Sequence, residues 1–277
     1  MTLDDLPPLR ETLAAHDLLA RKSFGQHFLL DLNVTGKIAR LAGPFEGRAV
    51  IEVGPGPGGL TRALLETDAS KVIVVEKDPR FIPLLEELQA VSGGKLVIVE
   101  GDGLAVDETA LLAEHAGSVA GHLVSNLPYN VGTPMLIKWL TGPWLPFSMT
   151  LMFQKEVAER IAARPGDDAY GRLAVIAQAV CEARVVMDLP ARAFTPPPKV
   201  ASAVVRLDPK PVRPSPALLT ALEKITGAAF GQRRKMLRSS LKAVGGEALC
   251  LKADVDPNAR AEVIDGAGFL RLAEAAA

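Results

Sequence analysis

Five short apolar runs, at residues 49–53, 71–76, 96–100, 122–125 and 149–153, recur along the chain with helix-patterned stretches between them. The run VIVV at 72–75 does not alternate apolar with polar residues, the pattern of a strand covered on both faces. Strand and helix repeating in this way predict an open α/β sheet of parallel strands. Two later runs, 183–187 and 203–207, follow a helical stretch at 154–164 and are expected to close the sheet as an antiparallel pair. Residues 208–216 read DPKPVRPSP, which can neither continue a strand nor start a helix until it ends. A boundary placed there gives an α/β domain over residues 1–210 and a small helical domain over 211–277. The second domain has the 3.6-residue pattern in ALLTALEKI and RRKMLRSSLKAV, with breaks at Gly231 and at Gly245 and Gly246.

The first strand runs into IEVGPGPGGLT, where Gly54, Gly56, Gly58 and Gly59 allow a tight turn and a close approach of backbone to ligand. The second strand ends in Glu76, placed to accept hydrogen bonds from the two hydroxyls of a ribose. An adenosine-containing cofactor follows, but the spacing fits GxGxxG and GxGxG equally, so the glycines do not separate a dinucleotide from S-adenosylmethionine. Asp102, after the third strand, is the next expected adenosine contact, on the adenine amino group.

Asn126, Leu127, Pro128 and Tyr129, at the end of the fourth strand, decide between the cofactors, because hydride transfer has no use for them. The exocyclic amine of adenine is a poor nucleophile, its lone pair being delocalised into the ring. The side-chain carbonyl of Asn126 and the main-chain carbonyl of Leu127 can accept both amine hydrogens and favour the pyramidal, nucleophilic geometry. Pro128 fixes the loop and removes a competing N–H. Tyr129 can stack on an extruded base, worth roughly 1–3 kcal/mol. Methyl transfer to an adenine amine is the reaction these residues suit, with positioning in place of a strong base.

Residues 116–137 carry no formal charge over 22 positions, yet Asn126, Pro128, Asn130 and Pro134 argue for a buried strand and a functional loop rather than a membrane span. Cys181 and Cys250 are far apart and form neither a disulfide framework nor a metal cluster, which fits a reducing cytoplasm; no metal is expected. The acids and prolines of the first residues do not make a signal peptide. A net charge of −1 argues at first against nucleic acid. The charge is unevenly divided, however: residues 1–210 sum to −4 and residues 211–277 to +3. Between Glu223 and Glu247 there is no acid, and Arg233, Arg234, Lys235, Arg238 and Lys242 are candidate phosphate contacts. On one helix, Arg234, Arg238 and Lys242 would share a face, with Phe230, Met236, Leu237 and Leu241 packed inward.

Seven ordered segments, RKSFGQHFLLD at 21–31, IEVGPGPGGLT, VVEKD, EGDGL, SNLPYNVGTP, FTPPPKVASAVVRL and AAFGQRRKMLRSSL, resemble the small-subunit ribosomal RNA adenine N6,N6-dimethyltransferases along nearly the whole chain. The resemblance implies a Rossmann-like class I S-adenosylmethionine-dependent methyltransferase sheet, with a cofactor-lid segment within residues 1–48. It implies that His27, Leu29, Gly54, Gly56, Glu76, Asp102 and Asn126 hold S-adenosylmethionine. The family often has Asn where this chain has His27. Phe194 is similar to the aromatic that packs on the second face of the target base in related enzymes. The implied substrate is the 3′-terminal hairpin of small-subunit 16S rRNA in an immature 30S subunit, where two adjacent adenosines each receive two methyl groups. A monomer is expected. The rivals are a large-subunit rRNA or DNA adenine methyltransferase, and a non-catalytic assembly or transcription factor on the same fold.

Overall fold

The computed structural model describes residues 3–16, 18 and 27–277. Its strands are β1 (Phe28–Leu29), β2 (Ala49–Val53), β3 (Val72–Glu76), β4 (Leu96–Glu100), β5 (Gly121–Asn126), β6 (Met149–Gln154), β7 (Cys181–Leu189), β8 (Phe194–Thr195) and β9 (Ser202–Pro209). Seven of them form one sheet in the order β4-β3-β2-β5-β6-β9-β7. β2 to β6 are parallel. Every residue of β2 and β3 is buried, Glu52 and Glu76 included, as strands covered on both faces require. Lys155 N–H, just past β6, donates to Ala201 O, just before β9, so β9 runs antiparallel to β6. Lys210 N–H, just past β9, donates to Val180 O, just before β7, so this last pair is antiparallel too.

Two-residue strands β1 and β8 form a separate antiparallel pair that the sequence pattern does not announce. Helix Tyr129–Thr141 runs through Pro134, against the expectation of a loop. The carbonyl of Pro128 accepts from Val131 and Gly132 N–H and starts the helix directly after the site loop. No helix among the described residues is long and apolar enough to cross a membrane.

The chain packs as two units. One holds the residues up to Leu136 with Pro146–Lys155 and Val185–Arg206; the other holds Ile137–Leu145, Glu156–Arg184 and Leu207–Ala277. This differs from a single cut after residue 210. Helix Arg172–Val180 and neighbouring residues join the C-terminal helices through packing that a linear boundary cannot express. Tyr170, Phe230 and Phe269 form a run of ring contacts in that second unit, and the Tyr170 hydroxyl donates to Ile264 O at 2.9 Å. The proline tract ends by starting helix Pro216–Gly231: Ser215 caps it, accepting from Leu218 N–H, and Pro216 is its first residue.

In the first unit, a Cβ on Gly59 would lie 2.5 Å from the carbonyl oxygen of Leu29. Helix propensity alone would favour Ala there by about 1 kcal/mol. Forcing apart two backbones costs roughly 1–3 kcal/mol, so the close approach should win. Gly59→Ala is expected to lower unfolding free energy by about 1–2 kcal/mol in urea melts.

Candidate active site

A pocket opens at the carboxyl ends of β2, β3 and β5, where the strand order reverses direction from β2 and an open α/β sheet leaves a crevice. Ser125 Oγ accepts from Val53 N–H at 2.9 Å, tying together the last turns of β2 and β5 just before the two loops diverge. Gly54, Gly56 and Gly58 take φ of +68°, +53° and +83°, conformations that side chains disfavour. Pro128 Cδ lies 3.8 Å from where a Gly54 Cβ would be, so the proline of the second loop faces the glycine of the first across about the width of one side-chain atom.

The pocket brings together His27, Leu29, Gly54, Gly56, Glu76, Asn126, Leu127, Pro128 and Tyr129, nine residues drawn from four segments of sequence. Both oxygens of Glu76 are held: Oε2 accepts from Gly56 N–H at 3.0 Å and Oε1 from Asp78 N–H at 2.7 Å. Burial raises the Glu76 pKa, and those backbone bonds oppose the shift. Each oxygen retains a lone pair, enough for two further hydroxyl donors. The Asn126 side-chain amide has no partner among the described residues and lines the pocket. His27 Nδ1–H donates to Pro196 O at 2.8 Å, which leaves Nε2 as the ring atom for other contacts, and its ring centroid lies 5.6 Å from that of Tyr129. The Tyr129 hydroxyl and Ser202 Oγ share a 2.6 Å hydrogen bond, and burial raises the Tyr129 pKa. A glycine cradle, a carboxylate with spare lone pairs and an unsatisfied amide fit an adenosine-bearing ligand beside an amine.

A family model described as ribosomal RNA adenine dimethylase matches residues 18–277. The chain belongs to that family. It is 70% identical over 275 residues to a ribosomal RNA small subunit methyltransferase A from Phenylobacterium zucineum, covering 99% of this chain and 94% of the relative. With the protein of the same name from Caulobacter vibrioides it shares 71% over 257 residues, 93% and 97% of the two chains. Among solved structures, a dimethyladenosine transferase from Plasmodium falciparum is similar at TM-score 0.72 and 26% identity, covering 89% of this chain and 96% of that one. The 23S rRNA methyltransferase ErmE is similar at TM-score 0.67 and 26% identity, covering 90% and 98%. The fold is therefore the Rossmann-like methyltransferase fold with C-terminal helices, and the enzyme is an rRNA adenine dimethyltransferase.

Two expectations for this dimethylase need correction, on Phe194 and on the basic helix face, and Asp102 stands outside the pocket lining. Phe194 is 2% exposed and packs in the core with Leu29, its partner in the β1–β8 pair, so neither ring face is open to the pocket. Asp102 is outside the pocket lining: Oδ2 pairs with Lys77 Nζ at 2.7 Å and Oδ1 accepts from Leu104 N–H at 3.0 Å. The basic residues do not share one helix face. Arg234 and Lys235 lie in a turn, Arg238 is in helix Leu237–Ser240, and Lys242 opens a separate 3-10 turn. Leu237 and Arg238 N–H bond to Ala259 and Pro257 carbonyls, which stops a longer helix from forming. Met236 is 42% exposed rather than packed inward, whereas Leu237 and Leu241 are buried. Arg233 bonds to Glu262 and to the carbonyl of Asp168, leaving Arg234, Lys235, Arg238 and Lys242 without an ion-pair partner among the described residues. Of the 21–31 segment, residues 21–26 lie outside the described residues.

Several pocket residues escaped the sequence reading, and one of them is an acid. Glu52 is the single acid in the buried strand AVIEV; it lines the pocket and accepts from the Thr61 hydroxyl at 2.7 Å. A lone acid in an otherwise apolar strand, followed nine residues later by a hydroxyl on the next helix, was the available signal. Burial pushes its pKa up to about 8 from the ordinary 4.5, so it is largely protonated at neutral pH. The stability tied to this neutral acid is full below the unfolded value of 4.5 and is lost as pH rises through about 8. Glu52→Gln cannot lose a proton. In urea melts it should therefore shrink the fall in unfolding free energy between about pH 5 and about pH 8 by on the order of 3 kcal/mol.

Proposed function

We propose that this dimethylase transfers methyl groups from S-adenosylmethionine to N6 of two adjacent adenosines in the 3′-terminal hairpin of small-subunit 16S rRNA, during 30S assembly in the cytoplasm. The observation that carries this reading is the single pocket that sets the free Asn126 amide beside the glycine cradle and Glu76. The curated relatives at 70% and 71% identity are named for the small subunit, which favours that rRNA over the 23S substrate named for ErmE.

The residues that would hold S-adenosylmethionine are His27, Leu29, Gly54, Gly56, Glu76 and Asn126, with Glu76 serving the ribose hydroxyls. When bound it supplies an electrophilic methyl on a sulfonium. Asp102 joins them by giving up Lys77, an exposed pairing of a kind worth no more than about 1 kcal/mol and easily exchanged for an adenine amine. Asn126 Oδ1 and Leu127 O accept the two hydrogens of the target amine. They thereby oppose its delocalisation into the ring. Tyr129 stacks on the extruded base, and Ser202, fully buried on the first residue of β9, fixes its hydroxyl end. No ionised base is needed, since the methylated ammonium is acidic enough to lose its proton to water.

Incubation with radiolabelled S-adenosylmethionine and unmethylated 30S subunits, followed by mapping of the label, tests the whole reading. Label on adjacent adenosines of the 3′-terminal hairpin is expected; label confined to 23S rRNA or DNA overturns the substrate. Asn126→Ala should reduce kcat at least about a hundredfold while S-adenosylhomocysteine still binds, in line with loss of a transition-state hydrogen bond. Full dimethylation by that variant would sink the role of the loop.

In the second unit, Arg234, Lys235, Arg238 and Lys242 are proposed to contact rRNA phosphates. Replacing Arg234 and Lys235 by Ala should lower the slope of log affinity against log salt by about one per charge. Arg233→Ala should act mainly on stability, because its guanidinium is already engaged by Glu262 and Asp168.

A further inference from the structure

The family match begins at residue 18, yet residues ahead of it buttress the wall of the pocket. Helix Leu9–Ala15 buries Leu9, Thr12 and Leu13 in the first unit. Leu9 Cδ1 comes within 3.2 Å of the position a Gly59 Cβ would take, on the same glycine that receives the Leu29 carbonyl. Leu13 packs in one cluster with Phe28, Phe81 and Leu84. The Phe28 ring lies edge-on to Phe81 and 3.4 Å from the position of a Gly56 Cβ, and Phe28, Phe81, Gly56 and Gly59 all line the pocket. Two polar contacts fasten the segment: Arg62 Nη1 donates to Pro7 O at 2.9 Å, and His16 Nε2 meets Glu87 Oε1 at 3.1 Å.

β1 is two residues long and, among the described residues, pairs with the equally short β8 alone, so its own backbone bonds hold it weakly. Leu13, packed with Phe28, and Leu9, set against the glycine that receives the Leu29 carbonyl, supply the missing support. We infer that Leu9 and Leu13 are positioning residues, which press Phe28 and Leu29 onto the glycine loop and so set the affinity for the cofactor. The inference rests on the S-adenosylmethionine reading of the pocket. Neither leucine touches the target base in this arrangement, and neither is part of the basic surface, so their effect should fall on cofactor binding alone.

The test is Leu9→Ala with Leu13→Ala in the full-length chain, with S-adenosylhomocysteine titrated by calorimetry below the melting temperature. Kd should rise roughly tenfold, while kcat at saturating cofactor and KM for 30S subunits stay within about twofold. Leu9→Met with Leu13→Met should restore the affinity, because methionine conserves the volume. Should the double Ala variant unfold, Arg62→Met releases Pro7 without opening a cavity under the helix, and a rise in Kd of about threefold is expected. An unchanged Kd in a folded variant overturns the inference, as does a fall in saturated kcat with Kd unmoved. If the unaltered chain itself fails to bind S-adenosylhomocysteine, the cofactor reading has failed instead.

Discussion

The position of β2 between β3 and β5 is the constraint on which the site depends. Chain leaving β2 must turn toward a helix on one side of the sheet while chain leaving β5 turns away from it, and a crevice opens between them. The Val53 N–H to Ser125 Oγ bond fixes the two strand ends at the root of that crevice. From there the glycine loop and the Asn126–Tyr129 loop line one pocket, with Pro128 facing Gly54 across it. A substitution that shifted one strand end would move both halves of the chemistry together.

The floor of this crevice carries two acids held in different ways. Glu76 has each oxygen fastened by a backbone N–H and points its remaining lone pairs outward. Glu52 lies deeper, with burial dominating its proton affinity and Glu76 adding to the rise. Keeping the deeper acid neutral avoids placing a second full negative charge beside the first in a low-dielectric site. A neutral carboxyl can also donate a hydrogen bond, which a carboxylate cannot.

Charge is divided to match the two tasks. An acidic excess over residues 1–210 disfavours indiscriminate attraction to RNA, and a basic excess over 211–277 favours attraction to phosphates. Recognition of this kind relies on the shape of the RNA target more than on bulk charge. The basic residues nevertheless do not project from one helix. They spread over a turn, a four-residue helix and a 3-10 turn, because the 257–259 backbone takes up the N–H groups that a longer helix would have used.

The sequence by itself determined the parallel core, the glycine cradle and the Asn126–Tyr129 loop, because each is written in local periodicity or in residues adjacent along the chain. VIVV can only be a strand covered on both faces, and Gly54, Gly56 and Gly58 stand where φ is positive. Tertiary structure alone decided what depends on contacts between distant segments. Phe194 was drawn into the core by a two-residue pairing with Leu29, too short to leave a periodic signal. Asp102 found Lys77, Arg233 found Glu262, and Leu9 reached Gly59 across fifty positions. Such contacts follow from how packed elements meet in space, and no spacing along the chain encodes them.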